Sequence, residues 1–400
     1  MLKIGICGGT FDPFHNGHMA LISAALDSGR IDRLLVIPAG DPPHKQHEPV
    51  MPAIYRYEMT RKSLRDIPST RVVDLEILKE GRSYTLDTIR MVRAEYQEPT
   101  EIYLIYGSDI IYDLEKWHEP EALLAECTML LAIRGGDDEK RVSKLAARLN
   151  KKFNAKIELF KAPKIELSST EIRERIIAGK NWKKSVPGPA AAVISDNKFY
   201  TLISSLEMLN VEDRGKTGKL ERSIWPWLTH KRLLHSANVM LYAIKLANEH
   251  GVDLYQAAAA GLLHDCAKCL QHDQLMDYAA RAGDEQLLQE ELAHGPAGAV
   301  MAKEIFCITD QEILQSVHYH TTGRAGMTKL EKIIFLADKI ELGRTYHDLD
   351  PIREAAETDL DQAMLICLTE VESFLRRSNR PSHPYSLDAI SEIRQKNKKE

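Results

Sequence analysis

Two histidines three residues apart, His15 and His18, close the word GGTFDPFHNGH at residues 8–18. Gly8 and Gly9 let backbone amides approach a phosphate closely, and a helix opening after them turns its positive end to the same spot. His15 and His18 then share one face of that helix's first turn. Two imidazoles beside a bound polyphosphate can donate hydrogen bonds to the charge that develops at an attacked phosphorus. Nothing in the word resembles a covalent nucleophile or a GxxxxGK[ST] phosphate loop. The chemistry it points to is in-line attack on a nucleotide α-phosphate with pyrophosphate leaving, helped by positioning and electrostatics. A second word, LSSTEIR at residues 167–173, reads as a helix start. Ser168, Ser169 and Thr170 offer an N-cap and exposed amides for phosphate oxygens, and Arg173 follows one turn along on the same side.

A different set lies downstream: His235, the adjacent pair His264 and Asp265, then His294, His320 and Asp338. Neighbouring residues cannot share a helical face, but where a helix stops both can turn into one cavity. Asp265 could then bridge two cations while His264 binds one of them. Four imidazoles and two carboxylates suit two borderline metals, Fe, Mn or Zn, better than Mg²⁺ or a thiolate site. Paired metals clamp the attacking and leaving oxygens, which suits hydrolysis of a phosphoester or phosphoanhydride. Cys266 and Cys269 form a CxxC, but no second cysteine pair accompanies it, and coincidence is the better reading.

The elements that must hold these residues differ between the halves. In the first, short buried strands are expected at 2–7, 33–38, 102–106 and 128–133, with apolar-periodic or helical segments at 17–28, 54–65, 85–96 and 139–151. Strands alternating with helices imply a parallel sheet covered on both faces, with ligands beyond the carboxyl ends of its strands. From residue 231 onward the pattern is helical only, at 231–250, 254–264, 294–305, 330–340 and 360–377. Ten of the fifteen histidines lie at or after His230, so the composition changes with the pattern. The polar stretch 210–219, NVEDRGKTGK, has no periodicity and reads as a linker. The expected division is a first domain at 1–205, a linker at 206–224, a helical domain at 225–390 and a charged tail at 391–400.

HxGH near the amino terminus with a late SSTxIR resembles the nucleotidylyltransferase superfamily. PPHK (42–45), RSYTLDT (82–88), GSD (107–109) and Trp117 narrow the resemblance to bacterial nicotinate mononucleotide adenylyltransferase, over roughly residues 1–200. The resemblance implies a Rossmann-like α/β fold and transfer of the adenylyl group of ATP to nicotinate mononucleotide, with nicotinamide mononucleotide the weaker option. It implies that His15, His18 and Arg173 meet the ATP phosphates, with Lys45 and Ser168 assisting. Gly8, Gly9, Thr10, Phe11, Gly107, Asp109, Ser169 and Thr170 would bind the rest of ATP, Asp109 on the ribose. Lys45, Tyr84, Thr85 and Trp117 would hold the pyridine nucleotide, Trp117 stacking on its ring. Mg²⁺ would travel with ATP.

The helical half is similar to the HD phosphohydrolase superfamily. LLHDCAK (262–268), HGPAGA (294–299), YHTTG (319–323) and ADKIELGR (337–344) resemble the bacterial HD hydrolases that split diadenosine tetraphosphate into two ADP, over roughly 225–378. The resemblance implies an all-α fold and the metal ligands His235, His264, Asp265, His294, His320 and Asp338. Two divalent metals are implied, iron first, with Mn, Co or Zn as alternatives. Lys268, Thr321, Arg324 and Arg344 would bind phosphate. His318 competes with His320 as ligand; His320 is preferred because TTG follows it. A guanosine polyphosphate or another nucleotide is the alternative substrate, and a non-catalytic nucleotide-binding module the alternative role.

Composition bounds the remaining possibilities. At 44% hydrophobic and 28% charged residues, the chain is neither disordered nor collagen-like. With 53 Lys and Arg against 58 Asp and Glu, its net charge of -5 gives no basic field for nucleic acid or an anionic membrane. No apolar run approaches the ~20 residues of a membrane span, and the opening residues do not read as a signal peptide. Six cysteines in 400 residues are no disulfide framework, so a cytoplasmic enzyme is expected, with homo-oligomerisation left open.

Overall fold

Apolar runs bounded by turn residues become the strands of one sheet. The computed structural model describes residues 1–398 except 43–47, 80, 82–83, 135–137 and 346–348. It divides into two compact units, Met1–Ser195 and Asp196–Glu400.

The first unit holds β1 (Leu2–Gly9), β2 (Arg33–Pro38), β3 (Thr70–Val72), β4 (Thr100–Gly107), β5 (Thr128–Arg134) and β6 (Lys156–Ala162). All pairings are parallel, in the order β3-β2-β1-β4-β5-β6. Side chains of both parities are buried along the central strands: Ile4, Ile6 and Cys7 on β1, Leu34 to Ile37 on β2, Met129 to Leu131 on β5. Such runs are what a sheet covered by helices on both faces demands. Strand order reverses between β1 and β4, so the loops leaving these neighbours diverge and open a crevice at their carboxyl ends. GGTFDPFHNGH leaves β1 there, and GSD ends β4.

The strands β3 and β6 escape the sequence reading for different reasons. Three residues are too few to show alternation, and β6 lies at the sheet edge, where Ile157 and Phe160 are interleaved with charged residues.

Among its described residues, the second unit is built from helices, as expected. Its central pair is His230–His250 and Leu254–Leu263. The run Ala257 to Ala260, Leu262 and Leu263 is wholly buried. Small residues let the two helices touch: a Cβ on Gly261 would stand 2.8 Å from Cα of Met240. That close approach sets the spacing of His235 and His264.

Three expectations about boundaries fail, the first because residues 196–205, expected to close the first domain, belong to the second compact unit. The stretch 210–219 is not an open linker, because Val211–Ile224 is a helix of the second unit capped by the Asn210 side chain on Asp213 N, 2.9 Å. Its buried positions Thr217, Leu220, Glu221 and Ile224 do keep helical spacing, but two are polar and three lie beyond the polar stretch. The charged tail at 391–400 is helical through Lys396, within Pro384–Lys396, and Ile393 is buried.

Candidate active sites

In the first unit, His15 is the N-cap of the helix Asn16–Asp27. Its Nδ1 accepts from Gly17 N at 3.1 Å, and the Nδ1 of His18 accepts from His15 N at 3.2 Å. A backbone N–H can only donate, so each neutral ring must carry its proton on Nε2. The two rings stack at 3.7 Å, and His18 also packs edge-on against Phe11 and stacks on Phe14. The reciprocal cap therefore fixes two imidazoles as a pair of Nε2–H donors beside a helix N-terminus.

The second word comes to the same place. Ser168 caps Ser169–Ile177 through Glu171 N at 3.2 Å, and Ser169 Oγ donates to the Pro13 carbonyl at 3.2 Å. Arg173 donates to the Asp12 carbonyl at 2.7 Å and lies 4.0 Å from its carboxylate. Asp12, 2% exposed, also accepts Met51 N at 3.2 Å. Two helix N-termini, two imidazoles and a guanidinium thus surround one loop, an arrangement suited to a polyanion.

Across the crevice, a Cβ on Gly8 would stand 3.4 Å from the hydroxyl of Tyr106 on β4. Tyr106 hydrogen-bonds Thr85, burial pushes its phenol up, and the Trp117 ring stands edge-on to it at 5.5 Å. Tyr84 stacks on His118 at 4.1 Å. Tyr84, Thr85 and Trp117 are thereby gathered around Tyr106 and His118. Gly107 closes β4 and the exposed Asp109 lies in the turn Ser108–Tyr112 after it. Lys45, with most of PPHK, lies outside the described residues.

In the second unit, five helices deliver the histidines and aspartates. His264 caps the end of Leu254–Leu263, and its Nδ1 donates to the Gly261 carbonyl at 2.8 Å. His320 caps the end of Gln311–Tyr319, and its Nδ1 donates to the Val317 carbonyl at 2.7 Å. A carbonyl only accepts, so both rings, when neutral, present a bare Nε2. His235, His264 and Asp338 form one group of candidate ligands, and Asp265, His294 and His320 another, the ligating atoms in each within 4.8 Å of one another. Asp265 faces both: Oδ1 is 3.5 Å from His294 and 3.7 Å from His320, while Oδ2 is 3.9 Å from His264. His318 is turned away to Asp284, 3.2 Å from it.

The charges suit cations. Burial pushes His264 down to about 4 and His294 well below its ordinary range, so both stay neutral. Burial opposes charge on Asp265 and Asp338 as well. The neighbouring imidazoles of Asp265, and Lys339 with His235 beside Asp338, nevertheless hold both carboxyls well below the usual range. His235 is also buried, but Asp338 at 2.9 Å and Glu341 at 3.3 Å raise it to about 9. Nitrogen and carboxylate donors in two groups joined by one aspartate fit two borderline divalent cations.

Lys268 lies 2.9 Å from the His294 ring and Thr321 Oγ1 touches His294 and His320 at 3.2 and 3.3 Å. Arg344 reaches Asp338 and His235 at 2.9 and 3.2 Å. Arg324 instead forms a bidentate pair with Glu331 at 2.8 and 3.1 Å. Four residues that sequence reasoning left without a role also belong here. Asp12 and Tyr106 sit inside or beside words already noticed. Arg232, three before His235, donates to Asp265 Oδ2 at 2.7 Å, and Glu341, three after Asp338, orients His235. Helical spacing from a suspected ligand was the usable signal for the last two.

Fold and sites define a nucleotidylyltransferase-type α/β unit followed by a helical unit with an HD-type cluster. The cytidylyltransferase-like family model matches residues 6–175 and the HD domain model residues 232–343. A probable nicotinate-nucleotide adenylyltransferase of Clostridium botulinum (strain Alaska E43 / Type E3) is 34% identical over 200 residues, 50% of this chain and 98% of that one. The corresponding protein of Moorella thermoacetica is 35% identical over 198 residues, 50% of this chain and 91% of its own. A solved structure described as a predicted HD superfamily hydrolase involved in NAD metabolism, from Clostridium acetobutylicum, is 34% identical. It covers 44% of this chain and 96% of its own, with a TM-score of 0.43. The chain belongs to the nicotinate-nucleotide adenylyltransferase family and carries an HD domain in addition.

Proposed function

We propose that the first unit transfers the adenylyl group of Mg²⁺-bound ATP to nicotinate mononucleotide, giving deamido-NAD and pyrophosphate. A 5′-phosphate oxygen of the mononucleotide attacks the α-phosphorus, the P–O bond to the β-phosphate breaks, and pyrophosphate leaves. That oxygen is already ionised near neutrality, so positioning and charge stabilisation carry the step. His15 and His18 donate from Nε2 to the phosphates, Arg173 and Lys45 neutralise them, and Ser168, Ser169, Thr170, Gly8, Gly9, Thr10 and Phe11 line the ATP path. Gly107 and Asp109 take the adenosine. Tyr84, Thr85 and Trp117 take the pyridine nucleotide. The observation that carries this reading is the pair of fixed Nε2–H donors beside two helix N-termini. Chromatography of a reaction with ATP and nicotinate mononucleotide tests it. Deamido-NAD and pyrophosphate in equal amounts are expected, and their absence overturns it.

We propose that the HD unit splits diadenosine tetraphosphate symmetrically into two ADP. His235, His264 and Asp338 would hold one divalent cation, His294 and His320 the other, with Asp265 between them; iron is the first choice, then Mn, Co or Zn. Bound there, such cations would supply Lewis acidity to the phosphoanhydride and ease ionisation of the attacking water. Lys268, Thr321 and Arg344 stand against the ligand set and would grip phosphate oxygens. Arg324 would first have to release Glu331. The carrying observation is that Asp265 faces both groups. Iron-loaded protein, purified anaerobically, should yield ADP alone, and His264→Ala should abolish it. AMP with ATP, or turnover only of a guanosine polyphosphate, would overturn the substrate assignment.

A further inference from the structure

The helix Ala53–Leu64 buries every residue from Ala53 to Thr60, an arginine among them. Arg56 is 2% exposed. Removing a guanidinium from water costs several kcal/mol unless its donors are matched, and here they reach three separate segments. Nε donates to the Met51 carbonyl at 2.9 Å, and Nη1 donates to the Thr10 and Ala39 carbonyls at 3.0 and 2.7 Å.

The position of those carbonyls gives the arrangement meaning. The bond from Ala39 N to Gly9 O, 2.9 Å, continues the β1–β2 pairing to its end. Beyond it the two chains separate, one into GGTFDPFHNGH and the other towards PPHK. Arg56 stands at the fork and ties the first carbonyl of each branch. Met51, its third acceptor, gives its own N–H to Asp12, whose carbonyl takes Arg173.

Fixing the Thr10 carbonyl fixes more than one oxygen. A trans peptide is planar, so the Phe11 N–H points opposite to that carbonyl, away from the buried guanidinium. Phe11 itself has φ 54°, the left-handed region, uncommon for a residue with a side chain and worth on the order of 1 kcal/mol of strain. Something must hold it there, and Phe11 is what the His18 ring packs against at 5.0 Å.

We infer that Arg56 is a positioning residue for adenylyl transfer: it locks the Thr10–Phe11 peptide plane, and through it the Phe11 amide and the His18 ring, in the orientation that meets the triphosphate. This rests on the adenylyltransferase reading above. Lysine cannot substitute, because a single ammonium lacks the planar fork that reaches three carbonyls at once.

The test uses the full chain as wild type, Arg56→Lys and Arg56→Ala, with melting temperature, kcat and both KM values measured well below the melting transition. Displacing a catalytic group by about 1 Å costs roughly 10²-fold. Arg56→Ala is therefore expected to lose about that factor in kcat. Arg56→Lys should lose about tenfold while staying folded. The KM for nicotinate mononucleotide should move less than about twofold, since Tyr84 and Trp117 are held by other contacts. Added guanidinium ion at low millimolar concentration should restore part of the Arg56→Ala rate. If Arg56→Ala does not fold, Arg56→Lys decides. A lowered melting temperature with wild-type kcat in Arg56→Lys makes the residue merely structural and overturns the inference. An inactive wild-type protein overturns the adenylyltransferase reading instead.

Discussion

Replacing His15 by asparagine separates two jobs that the structure gives one ring. Its Nδ1 caps a helix by accepting Gly17 N, which leaves the proton on Nε2, the donor proposed to meet phosphate. Asparagine is among the best N-caps, so Oδ1 takes over the Gly17 bond and that part of the stability stays within a few tenths of a kcal/mol. The stack on His18 at 3.7 Å is lost, which removes on the order of 0.5–1.5 kcal/mol. A net loss near 1 kcal/mol lowers Tm by about 2–4 °C in a unit of this size. The carboxamide, however, is too short to place a donor where Nε2 stood. Removing one such donor from a developing charge costs about 10²–10³ in kcat, roughly 2.7–4 kcal/mol. His15→Gln should behave in reverse: its amide reaches towards the Nε2 position but gives up the cap, about 1 kcal/mol. Calorimetry and steady-state pyrophosphate release on both variants give the order. Asn should be the stabler and slower of the two, Gln the less stable and faster. Equal kcat, or Asn retaining a rate within threefold of wild type, would refute the assignment of the proton to Nε2.

Asp265→Ala should abolish binding at both ligand groups rather than one, read as metal per chain falling from about two to well below one by elemental analysis. Removing metal with a chelator should stop tetraphosphate hydrolysis, restored by Fe²⁺, Mn²⁺ or Co²⁺, while adenylyl transfer returns with Mg²⁺ alone. In the metal-free protein His235 is raised to about 9, because Asp338 and Glu341 outweigh its burial. Its contribution to stability is then complete below about pH 6.5 and lost as pH rises through about 9. Metal must displace that proton, so affinity should climb with pH up to about 9 and flatten beyond it, with proton release visible by calorimetry in two buffers. Gly261→Ala puts a methyl 2.8 Å from Met240 Cα, which should cost about 1–3 kcal/mol by overpacking and weaken metal binding by shifting His264 from His235.

Much of this organisation was written in residue order. The central strands announce themselves because a covered parallel sheet needs runs such as Leu34 to Ile37, and the helical half because its stripes are long. Position along the chain also singled out His15, His18, Arg173 and the HD residues, since all but His235, which lies within His230–His250, sit in a short word near a turn or a helix end. The residues that were missed act across space. Arg56 looks like any helix arginine until its three carbonyls are seen, and Tyr106 is one more apolar residue of β4 until Thr85 and Trp117 meet it. The helix at Val211–Ile224 hides its apolar stripe behind charges and two glycines. Arg324 differs from the other three suggested phosphate binders, since its guanidinium is paired with Glu331.

No sequence pattern states which ring nitrogen carries a proton, and the two units answer that question in opposite ways. At the start of Asn16–Asp27 the backbone offers N–H groups, so His15 and His18 accept through Nδ1 and carry the proton on Nε2, a donor suited to anions. At the ends of Leu254–Leu263 and Gln311–Tyr319 the helix offers carbonyls instead, so His264 and His320 donate through Nδ1 and keep Nε2 bare, a ligand for cations. Burial then holds His264 neutral, which completes the second case. On the proposed functions, one side chain would serve phosphate in the first unit and metal in the second, because helix polarity fixes its tautomer. Moving such a histidine to the other end of its helix would therefore invert the charge of the ligand it can hold.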